Sequence, residues 1–335
     1  MSATAASSAP AAPATATAAG QPQLAPLFLV ALASVGYEIA LTRWFAIVSW
    51  SEYGYWVISI TMVGIAASGV VLNLAKDWLL ATPSRAPLVL ALLPPLLVVS
   101  LAGGYLAVAA IDFNPLALQN HATMAAQLAK IAAYYAALFP FFFLSGTFIG
   151  LYFIAYDAEI SHIYAADLTG AGFAGLVVVA LMYVLHPFQL PMALLPALLA
   201  AGWLLAGRLA ARIALVALTL GAAVVCGLFT HADYNEYKAI AAPLRVEGSR
   251  RVETIKSPRG VYEVLDNFTE RLDVDLSNNE AVLGGAEPVA TYGLYADGNR
   301  IGSLPKRRPA ALPYLEAALD TLPYRLATAA GRAPS

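Results

Sequence analysis

The sequence predicts an α-helical membrane bundle of about seven spans, followed by a small β-rich domain with a terminal helix. Three observations predict it. The mean hydropathy is +0.68, and 12% of residues are charged, about half the ~25% usual in soluble domains. The charges are segregated: none fall in residues 1–23, 13 in 24–229 and 27 in 230–335. Apolar runs near the ~20 residues needed to cross a bilayer recur through the middle segment. A soluble helical protein would need an unusually large core to hide them.

Residues 1–23 are almost wholly Ala, Ser, Thr, Pro and Gln. Such a tail buries too little apolar surface to offset chain entropy, so disorder is expected. It lacks a positively charged start, so no cleaved signal peptide is expected. Seven candidate spans follow, at 24–50, 53–75, 86–110, 122–155, 163–186, 190–207 and 209–229. Pro94 and Pro95 are expected to bend the third and Pro140 to kink the fourth. Gly207 is a plausible turn before Arg208 and Arg212. Seven spans put the two ends on opposite sides, whereas six or eight would not. Lys76, Arg85, Arg208 and Arg212 then oppose Lys238, Arg245, Arg250 and Arg251, so the positive-inside comparison is near a tie. Trp44, Trp50, Tyr53, Tyr55 and Trp56 read as an interfacial belt. The expected location is multi-pass, in a bacterial inner membrane, with the lipid bilayer as first partner.

Within the bundle, Glu38, Arg43 and Asp167 stand out, because an ionised group at bilayer depth costs a few kcal/mol or more without a partner. Glu38 and Arg43 are five apart, about 140° around a helix, which disfavours a direct pair. The expectation is a network among Glu38, Arg43 and Asp167, serving either registry or a proton or substrate path. Lys130 can snorkel to the interface. Gly170, Gly172 and Gly175 spell G-x-G-x-x-G, but no clear strand precedes them, a membrane span follows, and no carboxylate lies near Leu195, as a dinucleotide loop requires. Helix packing is the better reading: Gly170 with Ala174, and Ala171 with Gly175, recur at four-residue spacing and allow close helix approach.

Beyond residue 230, "RRVETIKSPRGVYEVLDN" reads as two strands about a Ser-Pro-Arg-Gly turn. "TYGLYADGNRIGS" reads as a hairpin with Asp297-Gly298 in the turn. "PYLEAALDTLPYRLA" reads as a short helix from Pro313. Glu263, Asp266, Glu270, Asp273 and Asp275 read as a solvated strand face, and Lys306, Arg307 and Arg308 as a solvated loop. The four histidines lack metal-ligand spacing and the one cysteine, Cys226, allows no intramolecular disulfide, so no metal site is expected. A net charge of −2 gives no nucleic-acid signal. No G-x-S-x-G, H-E-x-x-H or Walker loop is present.

Three stretches carry a resemblance: "YEIALTR" in the first span, "YAADLTGAGFAG" opening the fifth, and "GLYADGNRIGS" with "PYLEAALDTLPYRLA" near the end. The arrangement resembles the membrane-bound spermidine-synthase-like proteins, in which a multi-span block precedes a spermidine synthase module. The resemblance implies that residues 231–335 correspond to that module's N-terminal β-domain and linker helix. It also implies that Asp297, Tyr314 and Glu316 are substrate-binding positions, with Tyr314 and Glu316 matching the family's Tyr-x-Glu. Arg300 or Ile301 stands where the family has a glutamine. Decarboxylated S-adenosylmethionine is the cofactor of a complete member, and a polyamine its ligand. The glycine-rich cofactor loop and the aspartate that deprotonates the attacking amine would lie beyond Ser335. The chain by itself is therefore expected to have no catalytic residue. It is expected to anchor a separate or downstream Rossmann-like catalytic domain. The alternatives are a transporter or channel for a small cation, such as a polyamine, and a non-catalytic structural membrane subunit.

Overall fold

The computed structural model describes residues 22–229, 234–271, 290–306 and 322–331. Seven helices form the bundle: α1 Leu24–Val48, α2 Gly54–Leu80, α3 Arg85–Ala110, α4 His121–Ala155, α5 Ile160–Leu181, α6 Leu195–Leu205 and α7 Leu209–Phe229. All except α6 are long and apolar enough to cross a membrane, making six such helices among the described residues. Their outward faces are greasy: Leu74 is 80% exposed and Leu176 67%. This is a multi-pass integral membrane protein, with its exposed apolar surface turned to lipid. Helices α3 and α4 run through their prolines without interruption.

The contacts order the passes. The Tyr152 hydroxyl near the end of α4 donates to the Gln23 carbonyl just before α1 (3.1 Å), so those two ends share a face. At the opposite face, Asn235, beyond α7, donates to the Ser49 hydroxyl just after α1 (3.2 Å). There too Asn114, between α3 and α4, donates to Glu236 (2.9 Å). The chain therefore traverses the bundle an odd number of times between Gln23 and Asn235, and the sixth traverse is broken. Helix α6 has 11 residues, roughly 16 Å at 1.5 Å per residue, about half a bilayer core. The other half is made by two 3₁₀ turns, Pro187–Gln189 and Met192–Leu194. Leu194 reaches Gly36, the middle residue of α1, where a Cβ would lie 2.9 Å from a Leu194 methyl. Non-helical backbone at this depth must be buried in protein. Phe188, Leu190 and Leu194 are buried, and the Phe188 carbonyl accepts from the Tyr105 hydroxyl at 2.5 Å. Of the seven candidate runs, 190–207 is thus the one that does not form a full-length helix.

Beyond the short helix α8 (Ala241–Leu244) comes the sheet: β1 Arg250–Ser257, β2 Gly260–Asp266, β3 Thr291–Ala296 and β4 Asn299–Pro305, then α9 Leu322–Ala329. The strands form an antiparallel meander in the order β1-β2-β3-β4. Both anticipated hairpins form. Asp297 and Gly298 make a two-residue turn between paired Ala296 and Asn299. Both have positive φ, 49° and 76°, the geometry for which Asp-Gly is suited. The stretch expected to be helical from Pro313 falls largely outside the described residues, as do Tyr314 and Glu316; its described part, from Leu322, is helical in α9.

Alternation puts Val261, Glu263 and Leu265 of β2 and Thr291, Gly293 and Tyr295 of β3 on the buried face. This corrects the solvated reading of two acids. Glu263 is 3% and Glu270 2% exposed. Each is held by a phenol and a guanidinium. Tyr234 donates to Glu263, with Arg251 3.0 Å away. Tyr295 donates to Glu270 at 2.5 Å, with Arg300 at 3.4 Å. Burial of a charge is tolerable only with such partners. Asp266 does lie at the surface, paired with Arg250 (3.1 Å) and Lys306; Asp273, Asp275, Arg307 and Arg308 lie outside the described residues. Trp44 also departs from the belt reading: it is 4% exposed, edge-on to Phe45 and Tyr105.

Candidate functional site at the bundle–domain junction

The polar residues of α1 part company. Arg43 lies five residues from the end of α1, facing the sheet. Its guanidinium grips Asp297 with two hydrogen bonds, Nη2 to Oδ1 at 2.7 Å and Nη1 to Oδ2 at 3.1 Å. The pair is partly buried, with 14% and 22% of the side chains exposed. Fork-to-fork geometry of this kind fixes direction as well as charge. The Asp297 Oδ1 also accepts from the Val261 amide (2.8 Å), and the Asp297 amide donates to the Val261 carbonyl (2.8 Å). Arg43 Nε is buried without a hydrogen-bond partner among the described residues.

The linker after α7 completes the junction. Lys238, 2% exposed, donates from Nζ to the Asp297 carbonyl (3.0 Å) and to the Ala46 carbonyl of α1 (3.3 Å). Burial lowers its pKa to about 8, against the opposing pull of Asp297. The Ile240 amide donates to the Gly298 carbonyl (3.0 Å). Tyr234 lies against Gly298, where a Cβ would come 2.7 Å from the ring. Burial, then the Glu263 charge, push its phenol well above the ordinary range. His186, between α5 and the first 3₁₀ turn, accepts at Nδ1 from the Phe188 amide (3.4 Å) and stacks on that ring at 4.7 Å. Desolvation, then Lys256, Arg251 and Arg43, lower its pKa to about 4. The neutral ring is the form that can accept that bond.

The expected Glu38–Arg43–Asp167 network is therefore corrected. Glu38 and Asp167 sit 14 and 7 residues into α1 and α5, helices that start at the same face. That places them roughly 20 and 10 Å deep by helix rise. Each lines its own cavity, and neither carboxylate has a hydrogen bond or ion pair among the described residues; the Glu38 carbonyl accepts from the Thr42 hydroxyl (2.8 Å). Glu38 shares a groove of about 520 Å³ with Thr42, Arg43, Ser51, Ile58 and Met182. Asp167 lines one of about 340 Å³ with Ser34, Ser68, Gly146 and Ala171. Val35 borders both.

The small residues of α5 also divide. Gly170 and Ala174 are buried. A Cβ on Gly170 would stand 2.4 Å from the Phe28 carbonyl oxygen of α1, whereas one on Gly175 or Gly172 would meet nothing within 4 Å. Close packing thus belongs to Gly170 and Ala174, while Ala171 faces the Asp167 cavity and Gly175 open space. Asp297, expected from the resemblance to bind substrate, has both carboxylate oxygens engaged at the junction. Sequence reasoning gave Tyr234 and His186 no site role and counted Lys238 only in the charge balance; their only signal was position beside a span end. No metal-competent cluster of His, Cys, Asp or Glu occurs among the described residues.

Comparison with family models, with curated proteins and with solved structures finds no match for this chain.

Proposed function

We propose that the chain is the membrane platform of a spermidine-synthase-like protein, anchoring an aminopropyltransferase-like module at a fixed attitude to the bilayer. The resemblance supplies the chemistry. The observation that supports it is the clamp of Arg43 on Asp297: the turn that carries the "ADG" resemblance is bolted to the first span. A platform needs such a joint, because a flexible tether would leave a catalytic domain free to tumble. On this reading the Rossmann-like domain, in the same frame or on another chain, binds decarboxylated S-adenosylmethionine and supplies the base. The test is aminopropyl transfer to putrescine by membranes carrying the complete reading frame with any partner chain. Activity that sediments with the membranes and survives a high-salt wash is expected. Membranes that hold the protein but transfer no aminopropyl group to any amine would overturn the reading.

A second reading, a path for a small cation such as a polyamine, is favoured by one observation. Glu38 and Asp167 face separate cavities at different depths, and neither carboxylate is ion-paired among the described residues, since Arg43, which shares the Glu38 groove, is taken by Asp297. Uptake into proteoliposomes that Glu38→Gln abolishes, with folding intact, is the expected result; unchanged uptake removes it.

A further inference from the structure

The β1–β2 hairpin ends in the turn Ser257–Gly260, at the same end of the sheet as the Asp297-Gly298 turn that meets the bundle. Lys256 donates from Nζ to the Val184 carbonyl (3.0 Å), three residues past the end of α5. The hairpin tip therefore lies level with the end of a membrane-spanning helix, where lipid headgroups lie. Beside it Tyr183 and Val184 are 64% and 69% exposed, an apolar shoulder continuous with the lipid-facing surface of α5. The turn is braced: the Ser257 hydroxyl donates to the Gly260 carbonyl (3.0 Å) and accepts from the Gly260 amide (3.2 Å). It holds out Arg259, exposed and without an ion pair among the described residues. The nearby Arg251, by contrast, is engaged by Glu263. Lys256 spends one of its three donors on Val184 and keeps two.

From these positions we infer that the hairpin is seated on the bilayer surface, with Lys256 and Arg259 on the phosphates of anionic phospholipid headgroups. Charge complementarity selects this occupant: two cations are held at headgroup depth beside an apolar shoulder. A basic residue near an anionic leaflet gains roughly five-fold in surface occupancy, and the gain weakens with salt. The contact does not depend on the proposed function of the bundle.

The test uses the full chain in nanodiscs of phosphatidylcholine, alone or mixed with phosphatidylglycerol. A bimane is placed at Ile255→Cys, and a control at Leu304→Cys, next to the Thr291–Pro305 pair at the opposite end of the sheet. The native Cys226 is fully buried and does not compete. Nitroxide-headgroup lipid is expected to quench the Ile255→Cys label several-fold more than the control, and more so with phosphatidylglycerol. Lys256→Glu with Arg259→Glu should erase the phosphatidylglycerol dependence, and Arg259→Ala, which leaves the Lys256–Val184 bond in place, should halve it or more. Equal quenching at the two sites, or quenching indifferent to phosphatidylglycerol, overturns the inference. So does loss of quenching in inorganic phosphate beyond that in chloride of equal ionic strength, which would mark a free-anion site.

Discussion

Arg43 and Asp297 lie 254 residues apart in the chain and are joined by two hydrogen bonds of 2.7 and 3.1 Å. One sits on the first membrane span, the other in the left-handed turn of the β3–β4 hairpin. The pair makes the bundle and the sheet a single mechanical unit. Removing either partner strands a partly buried charge, and Arg43→Ala or Asp297→Ala should each cost the docked domain about 1–3 kcal/mol. Asp297→Asn should cost less, since Asn tolerates the turn and can still accept from Val261. A double-mutant cycle on thermal unfolding in detergent checks the coupling. Additive singles would show that the ion pair contributes nothing to docking.

Gly298 is expected to tolerate no side chain. Its φ is 76° and a Cβ would meet the Tyr234 ring at 2.7 Å, so strain and overlap act together. Gly298→Ala should destabilise the domain by about 1–3 kcal/mol. Gly302→Ala, on the same hairpin with nothing within 4 Å, should stay within about 0.5 kcal/mol of the parent. Chemical denaturation followed by far-ultraviolet circular dichroism distinguishes the two.

In the bundle, Gly170→Ala should force α1 and α5 apart, because the new methyl would overlap the Phe28 carbonyl. A loss of about 1–3 kcal/mol is expected from overpacking. Gly175→Ala on the same helix should be silent or slightly stabilising, as it improves helix propensity. Melting temperatures of the two variants in one detergent give the comparison, and equal losses would contradict the packing assignment.

Acidification should loosen the junction through His186. Its pKa is lowered to about 4 in the fold, against roughly 6.5 unfolded. Between those values the unfolded chain binds the proton and the folded chain does not, so stability falls as pH drops from about 6.5 toward 4. Protonation would also end acceptance at Nδ1 from the Phe188 amide. His186→Gln should flatten this part of the pH–stability curve, and the imidazole proton resonance should titrate near pH 4. A midpoint near 6.5 would show that the ring is not buried as described.

Much of this architecture was legible in the residue order, for reasons that are local. A span is a run of apolar side chains, and lipid exposure demands nothing more than length and composition. Asp297-Gly298 announces its turn because few residue pairs accept two consecutive positive φ values. The alternation in "GVYEVLD" marks a strand in the same way. Pattern alone, however, could not tell that the inward face of that strand carries a glutamate. Glu263 is acceptable there only because Tyr234 and Arg251 arrive from other segments.

The sequence by itself determined the apolar bundle, the polar sheet domain and the residues able to bend the chain between them. Tertiary structure alone decided which charges met. Glu38, Arg43 and Asp167 look like one network because they share an apolar context, yet helix rise sets the two acids at different depths. Arg43, near the exit of its span, finds its carboxylate 254 residues away. The broken sixth pass has the same origin. Residues 190–207 are apolar enough for a span, but the tertiary hydrogen bond from Tyr105 and the fit of Leu194 against Gly36 accompany 3₁₀ turns where a helix would run. Composition fixes what can be buried, whereas long-range contacts fix against what.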